Sequence, residues 1–142
     1  VRAADLRFDL DFGLSGGSDT LFTRQLVRSG ADIVWCDEAV VEDVVPAARS
    51  TKSWVLRRAF RSGSSWTSTS LRLADSGIEL ASARLAGFAS GMVRILGGAA
   101  RWSIGALGRN RPARARAART IARGAGLASG AFGVRYFEYA RR

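Results

Sequence analysis

The sequence predicts an α/β unit at the front of the chain, followed by an α-helical tail. Short apolar runs of strand-like composition lie within the first 45 residues, and helical periodicity takes over from about residue 50. Charge divides at the same place. Residues 1–48 hold nine acidic and four basic residues, whereas residues 49–142 hold three acidic and eighteen basic residues. We expect a front part at 1–63 and a basic, Gly/Ala-rich tail at 64–142.

The front part begins with an extended segment and a turn. Residues 6–12 alternate apolar and charged side chains, and residues 13–18 are rich in glycine and serine. Ser18 or Asp19 then caps a helix, because both residue types are favoured at that position. Ser29 and Gly30 end this helix, with Gly30 as the left-handed residue that often follows a helix.

Two apolar runs after the first helix predict β-strands. Ala31–Cys36 and Ala39–Val45 are short and rich in β-branched and aromatic residues, and Pro46 ends the second run. A strand, a helix and two further strands form only the edge of a mixed sheet. We therefore expect the chain to be the C-terminal portion of a longer protein.

The tail predicts helices throughout. The first helix begins near Ser50 or Thr51, is interrupted at residues 63–65 and resumes over residues 66–74. Residues 78–107 form the longest periodic segment, and residues 113–130 form the last helix, with Pro112 suited to its first turn. Within 78–107, one stripe is apolar and the adjacent stripe carries glycines and arginines. The apolar stripe comprises Leu85, Phe88, Met92, Ile95, Ala99 and Trp102.

The glycine turn carries the candidate chemistry. Gly13-Leu14-Ser15-Gly16-Gly17 matches the G-x-S-x-G pattern of serine hydrolases, but the chain has no histidine to complete a catalytic triad. Asp19 follows flexible glycines at a helix start, where the helix dipole favours an ionised carboxylate. Asp19 could act as a general base or as an ordinary helix cap, and the residues alone leave both open.

An ordered set of motifs points to a family. These motifs are Phe8-Asp9, Phe12-Gly13, Gly16-Gly17-Ser18-Asp19, Arg24, Gly30, Glu38-Ala39-Val40-Val41 and Arg57-Arg58-Ala59-Phe60-Arg61-Ser62-Gly63. Over about 55 residues they resemble the C-terminal half of the catalytic domain in family 2 glycosyltransferases. The stretch from Val41 through Pro46 to Thr51 resembles the members that build bacterial exopolysaccharides, the succinoglycan type among them.

The resemblance implies a GT-A fold, of which this chain would hold the C-terminal half, and an inverting sugar transfer. Asp19 corresponds to the catalytic base. Gly16, Gly17 and Ser18 correspond to the acceptor-binding loop, with Ser18 standing where the family has glutamate. A nucleotide-sugar donor and a glycan or lipid-linked acceptor are the implied partners.

The resemblance also assigns the donor side of the site. Arg57, Arg58 and Arg61 correspond to a cluster that neutralises the donor diphosphate, and we favour Arg58 and Arg61 because they share a helix face. Glu42 is either a strand-end residue that faces solvent or pairs with an arginine, or a candidate ligand for Mg²⁺ or Mn²⁺, whose main ligands are expected outside this fragment. The fragment alone should not transfer sugar.

A competing interpretation treats the chain as a non-enzymatic basic module that binds an anionic membrane or nucleic acid. Under the glycosyltransferase interpretation we expect no nucleic-acid partner and a place at the cytoplasmic, inner face of the plasma membrane. Segment 78–107 could lie in the membrane interface or pack as a soluble hairpin. A full span is disfavoured because Arg94 at the bilayer centre would cost about 2.5–3.5 kcal/mol.

Overall fold

Helices make up the regular structure of the residues that the structure describes. The structure, a computed structural model, describes residues 6–13 and 16–134. Its α-helices are α1 (Ser18–Arg28), α2 (Lys52–Arg72), α3 (Gly77–Leu107) and α4 (Arg111–Ala131), with 3-10 turns at Leu10–Phe12 and Ala47–Ser50. The predicted helices 78–107 and 113–130 are confirmed to within two residues.

The predicted α/β class is wrong, because the described ranges contain no β-strand. Residues 31–46 form an irregular connection whose apolar side chains are exposed, with Trp35 at 89%. The predicted strand at 6–12 is likewise replaced, in part by a 3-10 turn. A strand is stable when its backbone pairs with a neighbour and one of its faces is buried. The described residues provide neither condition, so the GT-A sheet has no counterpart among them.

Polar side chains begin the three long helices. Thr51 Oγ1 accepts from the Trp54 backbone N–H at 3.3 Å, which confirms one of the two predicted caps of α2. Ser76 caps α3, and Asn110 Oδ1 caps α4 by accepting from an N–H at 3.0 Å. Pro112 lies in the first turn of α4 as predicted, where its missing N–H leaves no hydrogen bond unmade.

α2 runs through Gly63 without the predicted interruption. A Cβ at Gly63 would lie 2.2 Å from the carbonyl oxygen of Arg123 in α4, so only glycine lets the two backbones approach this closely. The glycine that indicated a break is therefore a packing residue. The boundary predicted between residues 63 and 64 falls inside this helix, and the division into two parts stays a prediction.

α4 packs against both α2 and α3 through small residues. A Cβ at Gly126 would lie 1.9 Å from the Phe60 carbonyl oxygen in α2, and a Cβ at Gly91 would lie 2.6 Å from the Gly124 carbonyl oxygen. Apart from Leu127, the buried residues of these helices are glycine, alanine, serine or threonine. They are Ala59, Gly63, Ser64, Thr67, Ser68, Thr69, Gly91, Gly98, Gly105, Ala117, Gly124, Gly126, Leu127, Gly130 and Ala131.

Hydroxyl groups buried between α2 and α4 are hydrogen-bonded. Thr67 Oγ1 donates to the Leu127 carbonyl oxygen at 3.1 Å, and Ser64 Oγ donates to the Val134 carbonyl oxygen at 2.6 Å. Each bond satisfies a polar group that burial would otherwise leave unpaired. In addition to the glycine contacts, the hydroxyls therefore link α2 to the C-terminal half of α4 and to the segment that follows it.

α1 is held against the C-terminal half of α2. Leu21 is fully buried, and Asp9 accepts from Arg72 Nε at 2.9 Å. Arg28 Nη2 lies 2.5 Å from Asp75 Oδ2 in the link between α2 and α3. Because the Arg28–Asp75 pair is exposed, it contributes little free energy, and the buried Leu21 side chain stabilises this contact more.

None of the helices in the described part of the chain combines the length and apolar character needed to cross a bilayer. α3 is long enough at 31 residues, but it carries Arg84, Arg94 and Arg101 at intervals along its length. The interfacial helix and the soluble hairpin, both expected alternatives, remain.

The glycine contacts predict an asymmetric response to added methyl groups. Gly126→Ala should lower the free energy of unfolding by about 1–3 kcal/mol or more, because the new Cβ meets backbone that cannot yield without moving α2. Gly97→Ala is the matched control, since nothing lies within 4 Å of a Cβ there. It should gain up to about 1 kcal/mol from helix propensity. Urea unfolding followed by circular dichroism measures both, and equal effects would contradict the packing argument.

Candidate functional site

The glycine turn before α1 rests on α2. Gly16 and Gly17 have φ angles of 76° and 97°, a region that glycine adopts readily and other residues rarely. Ser65 Oγ donates to the Gly16 carbonyl oxygen at 3.2 Å, and a Cβ at Gly17 would lie 3.0 Å from Ser65 Cβ. Leu14 and Ser15, part of the predicted turn and of the hydrolase-like pattern, lie outside the described residues.

α1 begins one residue earlier in the turn than predicted. Gly17 occupies the cap position and has no side chain to accept a hydrogen bond, so neither Ser18 nor Asp19 is the cap. Asp19 is instead the second residue of the helix, near the positive end of its dipole, and its side chain is exposed. Asp19 is also among the residues that line a cleft between this turn and α2.

A cleft of about 210 Å³ lies between this turn and α2. The turn and α1 contribute backbone and short polar side chains together with one carboxylate, and α2 contributes two guanidinium groups, two hydroxyls and an indole. The lining residues are Gly16, Gly17, Asp19, Thr20, Arg58, Arg61, Ser62, Ser65 and Trp66. Segments about 40 residues apart in sequence thus meet around one small space.

The two arginines of the cleft are positioned by different neighbours. The Arg58 guanidinium carbon lies 5.1 Å from the centroid of the Trp54 ring, a cation–π contact that limits its freedom. The Arg61 side chain passes beside the turn, since a Cβ at Gly16 would lie 3.5 Å from Arg61 Nη1. The arrangement gives one side of the cleft positive charge that suits phosphate oxygens.

Trp66 forms an aromatic wall of the cleft and is half exposed. The Arg24 guanidinium carbon lies 5.1 Å from the centroid of its ring. Arg24 Nη1 also donates to Thr69 Oγ1 at 3.2 Å and to Ser70 Oγ at 2.9 Å. Partial burial, with a smaller contribution from the nearby positive charge of Arg28, lowers the pKa of Arg24. Arg24 therefore links α1 to α2 and supports the indole.

The structure brings together Asp19, Gly16, Gly17, Arg58 and Arg61 of the predicted site, and it leaves three predicted residues outside the cleft lining. Arg57 is exposed, and its Nε donates to the Ser53 carbonyl oxygen at 3.4 Å. Ser18 begins α1, and Glu42 lies in the exposed connection. The functional roles of all these residues stay predictions.

The described residues do not fit the divalent ion that the family resemblance implies. No group of three or more histidine, cysteine, aspartate or glutamate side chains that could hold a metal forms within 6–13 and 16–134. Glu42 alone offers one carboxylate, so its assignment as a ligand remains a prediction and no chemical step is derived through a metal.

Sequence reasoning missed three hydroxyl residues of the cleft, Thr20, Ser62 and Ser65. A signal was present in α2, because positions 58, 61, 62 and 65 follow the three- and four-residue spacing that places side chains on one helix face. Thr20 carried no such signal. It enters the cleft through the fold of the glycine turn, which local spacing does not encode.

Comparison with known proteins gives one partial similarity of note. Over 57 residues the chain is 42% identical to the succinoglycan biosynthesis protein ExoM of Rhizobium meliloti. This stretch covers 40% of the chain and 18% of that protein, so the chain spans less than a fifth of the relative's length. No protein-family model matches the chain, and no solved structure matches it. Family membership is therefore not shown.

The docking of the turn predicts a difference between two glycines with positive φ. Gly17→Ala should increase amide hydrogen exchange across α1, because the methyl group adds a clash with Ser65 to the backbone strain. Gly30→Ala, with φ 87° and open space around it, isolates the strain alone. The increase for Gly17→Ala should be about fivefold larger, equivalent to ~1 kcal/mol. Similar exchange in the two variants would show that the turn does not rest on α2.

Proposed function

We propose that this chain is part of a glycosyltransferase acting in bacterial exopolysaccharide synthesis, and that the cleft between the glycine turn and α2 receives the acceptor sugar. The observation that supports it most is the convergence of Asp19, Arg58 and Arg61 on one space. The similarity to a succinoglycan biosynthesis protein supports a role in exopolysaccharide synthesis. The motif resemblance supports sugar transfer as the reaction. The proposal requires no β-sheet within this chain.

Asp19 serves as the general base in this proposal. Its carboxylate accepts the proton of an acceptor hydroxyl while that oxygen attacks the anomeric carbon of the nucleotide sugar. The bond between the anomeric carbon and the diphosphate oxygen breaks, and attack from the opposite side inverts the anomeric centre.

Arg58 and Arg61 stabilise the leaving nucleoside diphosphate. As the anomeric bond breaks, negative charge grows on the departing oxygen, and guanidinium groups placed beside it lower the energy of the transition state. The nucleotide base and any divalent ion would take their ligands from protein outside the described residues, in keeping with the small share of the relative that the similarity covers.

Trp66 and the hydroxyl residues shape the acceptor side. A half-exposed indole offers an apolar ring against which a sugar face can pack, and Thr20, Ser62 and Ser65 offer short hydrogen-bonding groups. Ser18 stands where the family has glutamate, so the acceptor-binding loop carries one negative charge fewer than the family's loop. The proposed acceptor is a glycan or lipid-linked glycan whose recognition at this loop does not need a second carboxylate.

The base assignment predicts a selective loss of turnover. In the intact enzyme, Asp19→Asn should lower the transfer rate about 100- to 10,000-fold, the range that a positioned base contributes. Binding of nucleoside diphosphate, measured by calorimetry, should stay within about twofold. Asp11→Asn is the control, since Asp11 is an exposed aspartate that does not line the cleft. Retained turnover in Asp19→Asn would remove this residue from the mechanism.

The diphosphate assignment predicts that adjacent arginines behave differently. Arg58→Ala should weaken nucleoside diphosphate binding about tenfold or more, the value of a lost charge-assisted hydrogen bond. Arg57→Ala should have little effect, because Arg57 is directed to the Ser53 carbonyl oxygen and does not line the cleft. Equal weakening by both variants would indicate a general charge effect in place of a specific contact.

A further inference from the structure

α3 presents an apolar stripe to the outside of the molecule. Positions three, four and seven apart fall on one face of the helix. Its large side chains are between 64% and 87% exposed. The stripe, hereafter the outer stripe, comprises Ile78, Leu85, Ala89, Val93, Leu96, Ala100, Ile104 and Leu107.

The opposite face of α3 makes the internal contacts. Gly91, Gly98 and Gly105 are buried, and a Cβ on Gly91 or Gly98 would lie within 3 Å of an atom of α4. The helix therefore packs through its smallest residues and exposes its larger apolar ones. A contiguous apolar face about 45 Å long is far larger than scattered surface hydrophobic residues explain, and it marks an interaction surface.

From Leu80 onward the sequence around the outer stripe is cationic, whereas at its N-terminal end Ile78 lies beside Glu79. Residues 80–134 contain nine arginines and no aspartate or glutamate. A cleft of about 470 Å³ between α3 and α4 is lined by Arg101, Arg116 and Thr120, and Ile104 of the outer stripe lines it too. The apolar surface and a guanidinium-lined cleft that suits phosphate are therefore contiguous.

α3 also carries an amphipathic aromatic residue near its C-terminal end. Trp102 is partly exposed, and the Arg114 guanidinium carbon lies 4.9 Å from the centroid of its ring. Tryptophan and arginine side chains are typical of the membrane interface, where an apolar body meets acyl chains and a polar end meets headgroups. From Leu85 onward the apolar face has arginines and no acidic residues in the neighbouring sequence, which complements an anionic bilayer.

We propose that the outer stripe of α3 docks on an anionic lipid bilayer, with the helix lying in the plane of the surface. Val93, Leu96 and Ile104 enter the boundary between headgroups and acyl chains, and Arg101 and Arg116 contact lipid phosphates. The outer stripe shares only Leu85 with the apolar stripe identified from the sequence, because the glycine face, which packs on α4, fixes which side turns outward. The proposal does not depend on sugar transfer.

Co-sedimentation of the chain with vesicles tests the proposal. Wild-type protein should pellet with phosphatidylcholine vesicles that contain phosphatidylglycerol, should bind pure phosphatidylcholine weakly, and should release as salt rises. Val93→Glu should lower the partition coefficient about tenfold or more by placing a charge in the stripe. Val41→Glu is the matched control, since it makes the same change at an exposed valine outside α3, and it should change binding less than twofold.

Further measurements distinguish docking on a bilayer from misfolding of the variants and from a protein–protein interface. Val93→Ser removes apolar contact without adding charge and should reduce binding a few-fold, while circular dichroism verifies that each variant keeps its helices. Val93→Glu binding as tightly as wild type would overturn the proposal. A second outcome would also overturn it. If the wild-type chain did not bind the vesicles but formed a dimer in sedimentation velocity, and Val93→Glu dissociated that dimer, the stripe would be a protein interface.

Discussion

Backbone contact through glycine is the constraint on which the rest of this structure depends. Where Gly126 meets the Phe60 carbonyl oxygen, and Gly91 meets Gly124, the space between helix axes is too narrow for a leucine or a phenylalanine. Close approach gives many small dispersion contacts and excludes water from the interface. The same closeness leaves little room between the helices for large apolar side chains, so most of those of α3 face outward, although Ile95 lies against Gly124.

The candidate cleft depends on a second use of glycine. Gly16 and Gly17 adopt positive φ, and their backbone contacts α2 at Ser65. Asp19 and Arg58 consequently line the same cleft. Another residue at either position would strain the backbone, and at Gly17 its Cβ would also press on Ser65 of α2. In α2 and α4, glycine removes side-chain volume between helices. In the turn, glycine also permits the positive φ angles that bring the Asp19 carboxylate to the cleft.

The sequence predicted local features well because local chemistry decides them. Thr51 and Pro112 begin helices through hydrogen bonds and dihedral preferences that involve only near neighbours. The runs around Val34 and Val41 have high β-propensity, but a strand requires partners far away in sequence, and the described residues hold none. Gly63 shows the same limit, since its role is set by Arg123, 60 residues later.

The residues of the candidate site also differ in whether local sequence spacing could predict them. Helical spacing selected Arg58 and Arg61 as sharing a face, and both line the cleft, while the adjacent Arg57 does not. Spacing within α2 could have indicated Ser62 in the same way. No local pattern could have placed Thr20 there, because its position depends on how the glycine turn docks.

The two proposed surfaces share one support. On α2, the cleft residues Arg58 and Ser65 lie on the face opposite Gly63, and Gly63 contacts α4. On α3, the outer stripe lies opposite Gly91, which also contacts α4. α4 therefore supports both surfaces, and its Arg116 also lines the phosphate-binding cleft of the second proposal. A change in its packing would shift the arginines of the cleft and the orientation of the stripe together. Loss of both properties in one α4 variant is thus evidence about packing, and only changes confined to one surface bear on that surface's role.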